Sequence, residues 1–222
     1  MKGRDFVVHK KLKDASEKFK HIIDNHLDGK YEYLPTWLDT VSSRFIKEIN
    51  NDYPNGYYHY KRGTIIRVNF GVNMGSEFSN THFAIVLDKK DNAKKRTLTV
   101  LPLTSKQKKG RYSLGKEVFN QTTTLLDLQT KILSEKAEKS LKDEEINYQQ
   151  VKQLSSEIKM LAKVAFIYSK YNKNTFVRLS DITTISKFRI QRINKFDPSG
   201  KIRLSEQQMR EISNELMKLY IK

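Results

Sequence analysis

The 222-residue chain contains no cysteine. That excludes a disulfide-stapled secreted domain, a thiolate zinc site and a cysteine nucleophile. Long apolar runs are also missing. A membrane-spanning helix needs about 20 consecutive apolar residues, and the best stretch here, Met160 to Tyr168, is short and carries Lys163. The start, Met-Lys-Gly-Arg-Asp, is basic, but no apolar segment of signal-peptide type follows it. Neither membrane spanning nor export is therefore expected, and a cytoplasmic location is. There is no repeat of solenoid length. Gly-rich nucleotide loops, His-x-x-x-His pairs and paired-carboxylate signatures are absent, so neither a cofactor nor a metal site is expected.

Acid is the scarcer charge. Lys and Arg number 42 against 25 Asp and Glu, a formal net charge of +17. Hydrophobic residues make up 37% and aromatics 10%, enough apolar side chain for a core, so the chain is not a disordered polycation. A polyanion is the first partner to consider, either nucleic acid or an anionic membrane surface.

The pattern along the chain divides into four parts. Residues 1–60 read as helical. Leu12, Ala15, Phe19, Ile22, Ile23 and His26 share one helix face, and Asp28-Gly29 ends it. A second helix opens near Pro35, with Leu38, Val41, Phe45 and Ile49 as its expected buried face. The turn formers Asn51 to Gly56, Tyr53 among them, break the pattern. Residues 61–105 read as strands: Thr64 to Phe70, His82 to Leu87 and Thr97 to Leu103, with Pro102 at an edge or near a strand end. The basic loop Lys106 to Arg111 is expected to lead straight into helix. Ile132, Leu133, Ala137, Leu141, Ile146, Val151, Leu154, Ile158 and Leu161 predict one long helix or, in preference, a helical hairpin that breaks near Lys142 to Asn147. Phe176 to Leu179 and Ile182 to Phe188 read as strands. Ser205 then opens a capping box with Gln208, and Met209, Ile212, Leu216, Leu219 and Tyr220 form the stripe of a last helix, read as core packing.

Four segments in this order carry a resemblance. They are Lys61-Arg62-Gly63-Thr64-Ile65-Ile66-Arg67-Val68-Asn69-Phe70-Gly71, then Gly75-Ser76-Glu77-Phe78-Ser79-Asn80-Thr81-His82-Phe83-Ala84-Ile85-Val86-Leu87, then Leu98-Thr99-Val100-Leu101-Pro102-Leu103-Thr104-Ser105, and Phe176 to Ile185 with the final helix. Together they resemble the MazF/PemK family of type II toxin–antitoxin endoribonucleases. The resemblance implies an α+β fold: a small SH3-like β-barrel with a C-terminal helix, usually a homodimer. It places an N-terminal helical extension over 1–60 and the barrel domain over 61–222, interrupted by a helical insertion at about 115–172.

The resemblance further implies a toxin, an mRNA interferase, that cuts single-stranded RNA without a metal. The 2′-OH beside the scissile bond attacks the phosphate, which leaves a 2′,3′-cyclic phosphate and a 5′-OH. In the family an Arg after the Gly-Ser-Glu loop and a Thr ending the Pro-Leu-Thr strand carry the chemistry. Here the Arg position holds His82, the Pro after it is Phe83, and the Thr is kept as Thr104. An imidazole, with a reference pKa of about 6.5, suits proton transfer near neutrality better than a guanidinium, but it gives up permanent positive charge at the phosphate. His82 and Thr104 are thus the candidate catalytic pair, with Ser105 able to stand in for Thr104. His59 is a weaker second candidate for the acid or base.

Ser76, Glu77, Phe78, Ser105, Lys106, Lys108, Lys109 and Arg111 are the candidate RNA contacts, and Tyr112 and Phe78 are loop aromatics that could stack on bases. Glu77 reads equally as a solvated loop carboxylate. Between Lys89 and Lys116 stand ten Lys or Arg and one acid, Asp91, in two clusters flanking the strand that ends at Thr104. For Lys89 to Arg96 a solvated hairpin and a phosphate-binding surface read equally well; the loop Lys106 to Arg111 favours RNA. Expected partners are single-stranded RNA, a small acidic antitoxin and a second copy of the chain, and no membrane. The alternatives are a non-catalytic toxin on the same fold and an RNA- or DNA-binding module without toxin activity.

Overall fold

The structure, a computed structural model, describes residues 2–52, 54–142 and 147–221. Tyr53, within the expected turn, and Ile146, in the expected hairpin break, lie outside the described residues. The chain forms two compact units, one of residues 1–55 with 69–81 and one of 56–68 with 82–222.

In the first unit, α1 (Lys2–Asn25) is followed by a short 3₁₀ turn (Gly29–Tyr33) and α2 (Leu34–Ile49), with Pro35 in the first turn of α2. The expected faces form only in part. Ile22, Ile23, Leu38 and Val41 are half-buried, whereas Leu12, Phe45 and Ile49 are 66%, 56% and 74% exposed. Spacing specifies which residues share a helix face, not that another element covers it. His26 lies just past α1, its ring edge-on to His21 at 5.7 Å.

Among the described residues the second unit is built on an antiparallel sheet of six strands, of which only the end residues Asn69 and Thr81 fall outside it: β1 (Ile65–Asn69), β2 (Thr81–Val86), β3 (Thr97–Thr104), β4 (Tyr112–Gly115), β5 (Thr175–Val177) and β6 (Thr183–Ser186). Its order is β1-β2-β3-β5-β4, with β6 also on β3. β2 pairs with β3 through Ala84–Pro102, Ile85–Leu101 and Val86–Val100. The other edge of β3 is shared. Thr97 to Val100 pair with β6, and Leu103 and Thr104 pair with β5.

β3 is therefore a central strand, so Pro102 is not at an edge but, as the other expected placement has it, near a strand end, two residues before Thr104. The main-chain N–H of Arg178 donates to the Pro102 carbonyl, so the missing N–H of Pro102 faces the same side. There β6 has ended and the 3₁₀ turn Leu179–Asp181 separates it from β5, so the ladder asks for no donor. Isolated bridges join Thr64 to Arg203 and Val68 to Ile190.

Both faces of the sheet are buried. Ile65, Phe83, Ile85, Leu101, Leu103 and Val177 join a cluster with helical residues. The alternate positions Ile66, Val68, Ala84, Val86 and Val100 are fully buried as well. This follows from the period of two along a strand combined with unbroken apolar runs.

Among the described residues three helices pack on the sheet. α3 (Glu117–Lys142) and α4 (Tyr148–Ser169) form the expected hairpin, and the Asn147 side chain caps α4 by accepting from the N–H groups of Gln149 and Gln150. Leu133, Leu161, Val164 and Tyr168 are buried beneath it. α5 (Glu206–Tyr220) starts at the capping box of Ser205 and Gln208, and buries Met209 and Ile212. Leu219 and Tyr220, expected in its core stripe, are 51% and 53% exposed. Two further expectations are corrected. The segment after the basic loop is strand β4 before it is helix, since Tyr112 and Ser113 pair with Val177 and Phe176. The late strands are shorter than expected, because Leu179–Asp181 and Lys187–Arg189 turn as 3₁₀ helices.

Two buried carboxylates tie the loops down. Asp91 pairs with Lys187 at 2.7 Å, and Lys187 also donates to the carbonyls of Tyr58 and Asn92. Asp197 accepts from the Tyr168 hydroxyl at 2.6 Å and from the N–H groups of Ile193 and Ser199. Burial and the neighbouring carboxylate raise the Tyr168 hydroxyl pKa far above the ordinary value.

Candidate active site

In the β2–β3 register the numbers of paired residues sum to 186, as in 84 + 102 and 86 + 100. Carried two residues further within both strands, the register sets His82 opposite Thr104, since 82 + 104 = 186. They belong to the alternation of Ala84 and Pro102, on the face opposite the helical cluster. Both are half-buried, where the strands run out of the core. On the far edge of β3, Thr104 pairs with Phe176. The Thr104 hydroxyl accepts the N–H of Lys106 at 3.2 Å, which leaves its own proton to donate.

The loop after Thr104 is folded on itself, with the Arg111 guanidinium donating to the Lys106 carbonyl. Ser105, Lys106, Lys108 and Lys109 are exposed and Arg111 is half-buried. The two basic clusters do not sit together. Lys89 to Arg96 precede the first residue of β3 and Lys106 to Arg111 follow its last, so about 24 Å of strand separates them. In the first cluster Lys95 is paired with Asp88, and Asp91 is spent on Lys187. Sequence reasoning missed the cations that replace this cluster at the Thr104 end. β5 starts at Thr175, beside Thr104, and the turn leading into it carries exposed Lys170 and Lys173. Only the strand pairing reveals them.

His59 lies at the opposite end. Its neighbours Tyr57 and Tyr60 bond to the β2–β3 connection, at the Ala93 carbonyl and the Asp91 carboxylate. The Val86 carbonyl accepts from Gly63 there, four residues along β2 from His82 or about 13 Å. Tyr112 is not a loop aromatic. It stands in β4 with its hydroxyl bonded to Glu211 of α5. Burial, and then that hydrogen bond, push its pKa to about 12, while the same bond pulls the Glu211 carboxyl below its usual range.

Phe83, where the family has Pro, belongs to the helical cluster. Its ring meets Tyr168 at 5.6 Å and Tyr171 at 5.0 Å. The departure from the family pattern beside His82 is thus a packing contact with the end of α4.

Ser76, Glu77 and Phe78 belong to the first unit. Ser76 and Glu77 are exposed, and Phe78 is half-buried with its ring edge-on to Phe70 at 5.2 Å. Asn73 organises the loop: its N–H donates to the Ser79 hydroxyl, and its amide donates to the carbonyls of Phe70 and Phe78. The helical extension holds the loop from outside. Lys30 donates to the carbonyls of Asn73 and Gly75 at 2.7 and 2.8 Å. Gly71 has φ +88°, and a Cβ there would come within 2.6 Å of the Trp37 indole. No local pattern in the sequence signals these contacts, because the partners are about forty residues apart. Among the described residues no three His, Asp or Glu side chains converge in a way that could hold a metal ion.

Residues 61–170 match the family described as PemK-like, MazF-like toxin of type II toxin–antitoxin system. Over that stretch the chain belongs to the PemK/MazF toxin family. No curated relative matches the chain. The matched stretch runs from the approach to β1 through α4, so it contains His82, Thr104 and the basic loop, and it stops before β5 and α5. PemK/MazF toxins are generally endoribonucleases, and a type II toxin implies an antitoxin partner. No described helix is long and apolar enough to cross a membrane.

Proposed function

We propose that this PemK/MazF-family protein is a cytoplasmic, metal-independent endoribonuclease toxin that cuts single-stranded RNA at selected sequences. The observation that supports the reading is the β2–β3 register, which, extended two residues beyond the Ala84–Pro102 pair, brings His82 against Thr104 where the basic loop follows β3. In the proposed reaction the 2′-oxygen attacks the adjacent phosphorus and the bond to the 5′-oxygen breaks, giving a 2′,3′-cyclic phosphate and a 5′-OH. The His82 imidazole takes the 2′-OH proton or delivers one to the departing oxygen, and water serves the other transfer. Thr104 donates its hydroxyl to a non-bridging oxygen, where negative charge builds up. Lys106, Lys108, Lys109 and Arg111, together with Lys170 and Lys173, supply the permanent charge that His82 gives up relative to the family Arg. Ser105 contacts the RNA next to Thr104, and Ser76, Glu77 and Phe78 of the loop before β2 are further RNA contacts on this reading.

The bridges Thr64–Arg203 and Val68–Ile190, and the burial of both faces, support a small SH3-like barrel. On this reading residues 1–60 are an extension and about 115–172 an insertion. The protein acts as a homodimer restrained by a small acidic antitoxin.

Purified protein incubated with single-stranded RNA in EDTA should give fragments with 5′-OH and cyclic-phosphate ends, and His82→Ala and Thr104→Ala should lose them. Equal cleavage by His82→Ala would remove the catalytic assignment. RNA binding without cleavage by the wild type would leave a non-catalytic toxin or a nucleic-acid-binding module on the same fold.

A further inference from the structure

α4 turns its buried face, with Glu157, Leu161, Val164 and Tyr168, toward the body of the unit. Its outward face has a pattern of its own. Val151, Ser155, Ile158, Ala162, Ala165 and Ser169 are spaced 4, 3, 4, 3, 4, and all are exposed. This is the 4-3 spacing of a coiled-coil seam, repeated every seven residues, with Val151 and Ile158 as its large apolar members. Val151 is 43% exposed, Ile158 49% and the flanking Phe166 81%. The helix has 22 residues, about 33 Å, room for three heptads.

The charges beside the seam choose among occupants. At 100° per residue, Lys152, Lys159 and Lys163 fall on one flank, Lys152 and Lys159 each directly after a seam residue. The one acid of α4, Glu157, is buried and paired with Lys195 and Lys136, so the outward face presents lysine alone. A second copy packed seam to seam in antiparallel fashion would set these lysines against their equivalents. A basic or neutral helix would leave them unmatched.

We infer that the outward face of α4 docks an acidic amphipathic helix of a partner protein, apolar along its seam and with Glu or Asp at the flanking positions. Such a site is separate from His82 and Thr104 in sequence and function, and it stands whether or not the protein cuts RNA.

The probe is a synthetic three-heptad peptide with Leu at the seam and Glu at both flanks, titrated against the full chain at physiological salt by fluorescence anisotropy. A peptide of the same composition in scrambled order controls for bulk attraction to a +17 protein. The patterned peptide should bind at least about tenfold more tightly than the scrambled one. Ile158→Glu with Phe166→Glu should erase that difference. Lys152→Glu with Lys159→Glu should weaken the patterned peptide and create binding to its counterpart with Lys at the flanks. Circular dichroism reports whether the exposed-site variants fold, and RNA cleavage by the same preparations reads the proposed activity separately. Equal binding of patterned and scrambled peptides would overturn the inference. So would a change from dimer to monomer in sedimentation caused by Ile158→Glu with Phe166→Glu, which would mean that a second copy covers the face.

Discussion

The ring of Phe83 lies 5.0 Å from that of Tyr171, edge to face. The residue that follows the proposed catalytic histidine is thereby fastened to the end of α4. Phe83 is buried, so Phe83→Ala should cost about 3–5 kcal/mol of stability, read from the urea unfolding midpoint. Tyr171→Leu keeps the bulk and loses the ring geometry, so its cost should be smaller, about 0.5–1.5 kcal/mol.

The two basic clusters should separate in a salt titration of RNA binding. Replacing Lys106, Lys108 and Lys109 by Gln should lower the slope of log K against log salt by roughly 2, at about 0.7 per phosphate contact on a single strand. Replacing Lys89, Lys90 and Lys94 should leave the slope unchanged, because those residues stand at the other end of β3. Equal losses from both sets would mean that the RNA path runs the length of the strand.

The Asp91–Lys187 pair is nearly sealed from water, with side-chain exposures of 1% and 2%. Lys187→Met leaves Asp91 charged and buried, so it should cost about 3–5 kcal/mol. The double variant Asp91→Asn with Lys187→Met should be less destabilised than Lys187→Met alone. Chemical denaturation of the singles and the double closes the cycle.

Gly71→Ala has two problems at once: a positive φ, and a Cβ too close to Trp37. The cost should be about 1–3 kcal/mol. The chain has one tryptophan, so its fluorescence emission should shift in this variant and report on the first unit directly.

Tyr60 and Tyr112 both titrate near 12 instead of 10, Tyr60 chiefly through burial and Tyr112 through burial and then its bond to Glu211. A raised folded-state pKa keeps the proton in the folded chain after the unfolded chain has lost it. Their contribution to stability is therefore whole below pH 10 and falls as pH rises from 10 toward 12. Ultraviolet titration should show these tyrosines ionising after the exposed ones. Tyr112→Phe should flatten the loss of stability in that window.

The strands of the sheet were legible in the sequence where β-branched and apolar residues run unbroken, as in β1 to β3. The hairpin and α5 were legible where apolar spacing and a capping box coincide, as at Ser205. β4 was not, because Tyr112 to Gly115 is a strand only by virtue of β5, some sixty residues later. For the candidate site, the motif order singled out His82 and Thr104, but the register that sets them opposite each other depends on pairing between strands. Nothing in the sequence singles out Lys170 and Lys173. Only the return of the chain alongside Thr104 brings them to the basic end. Phe45 and Ile49 show the opposite error, a regular apolar spacing whose side chains stay exposed.

Gly115 and Thr175 pair with each other at the far end of β4 and β5. Everything between them, the whole of α3 and α4, leaves and re-enters the sheet through one cross-strand pair, with Cα atoms about 5 Å apart. The ladder is indifferent to the length of this detour, since the entropy of closing a loop grows only with the logarithm of its length. A short turn could join the same two residues and leave every strand neighbour in place. It could not replace the roof. Phe83, Leu114 and Val177 pack under the hairpin, and a shortened chain would need polar residues at those positions to stay soluble. The hairpin is optional to the connectivity of this protein and obligatory to its surface chemistry.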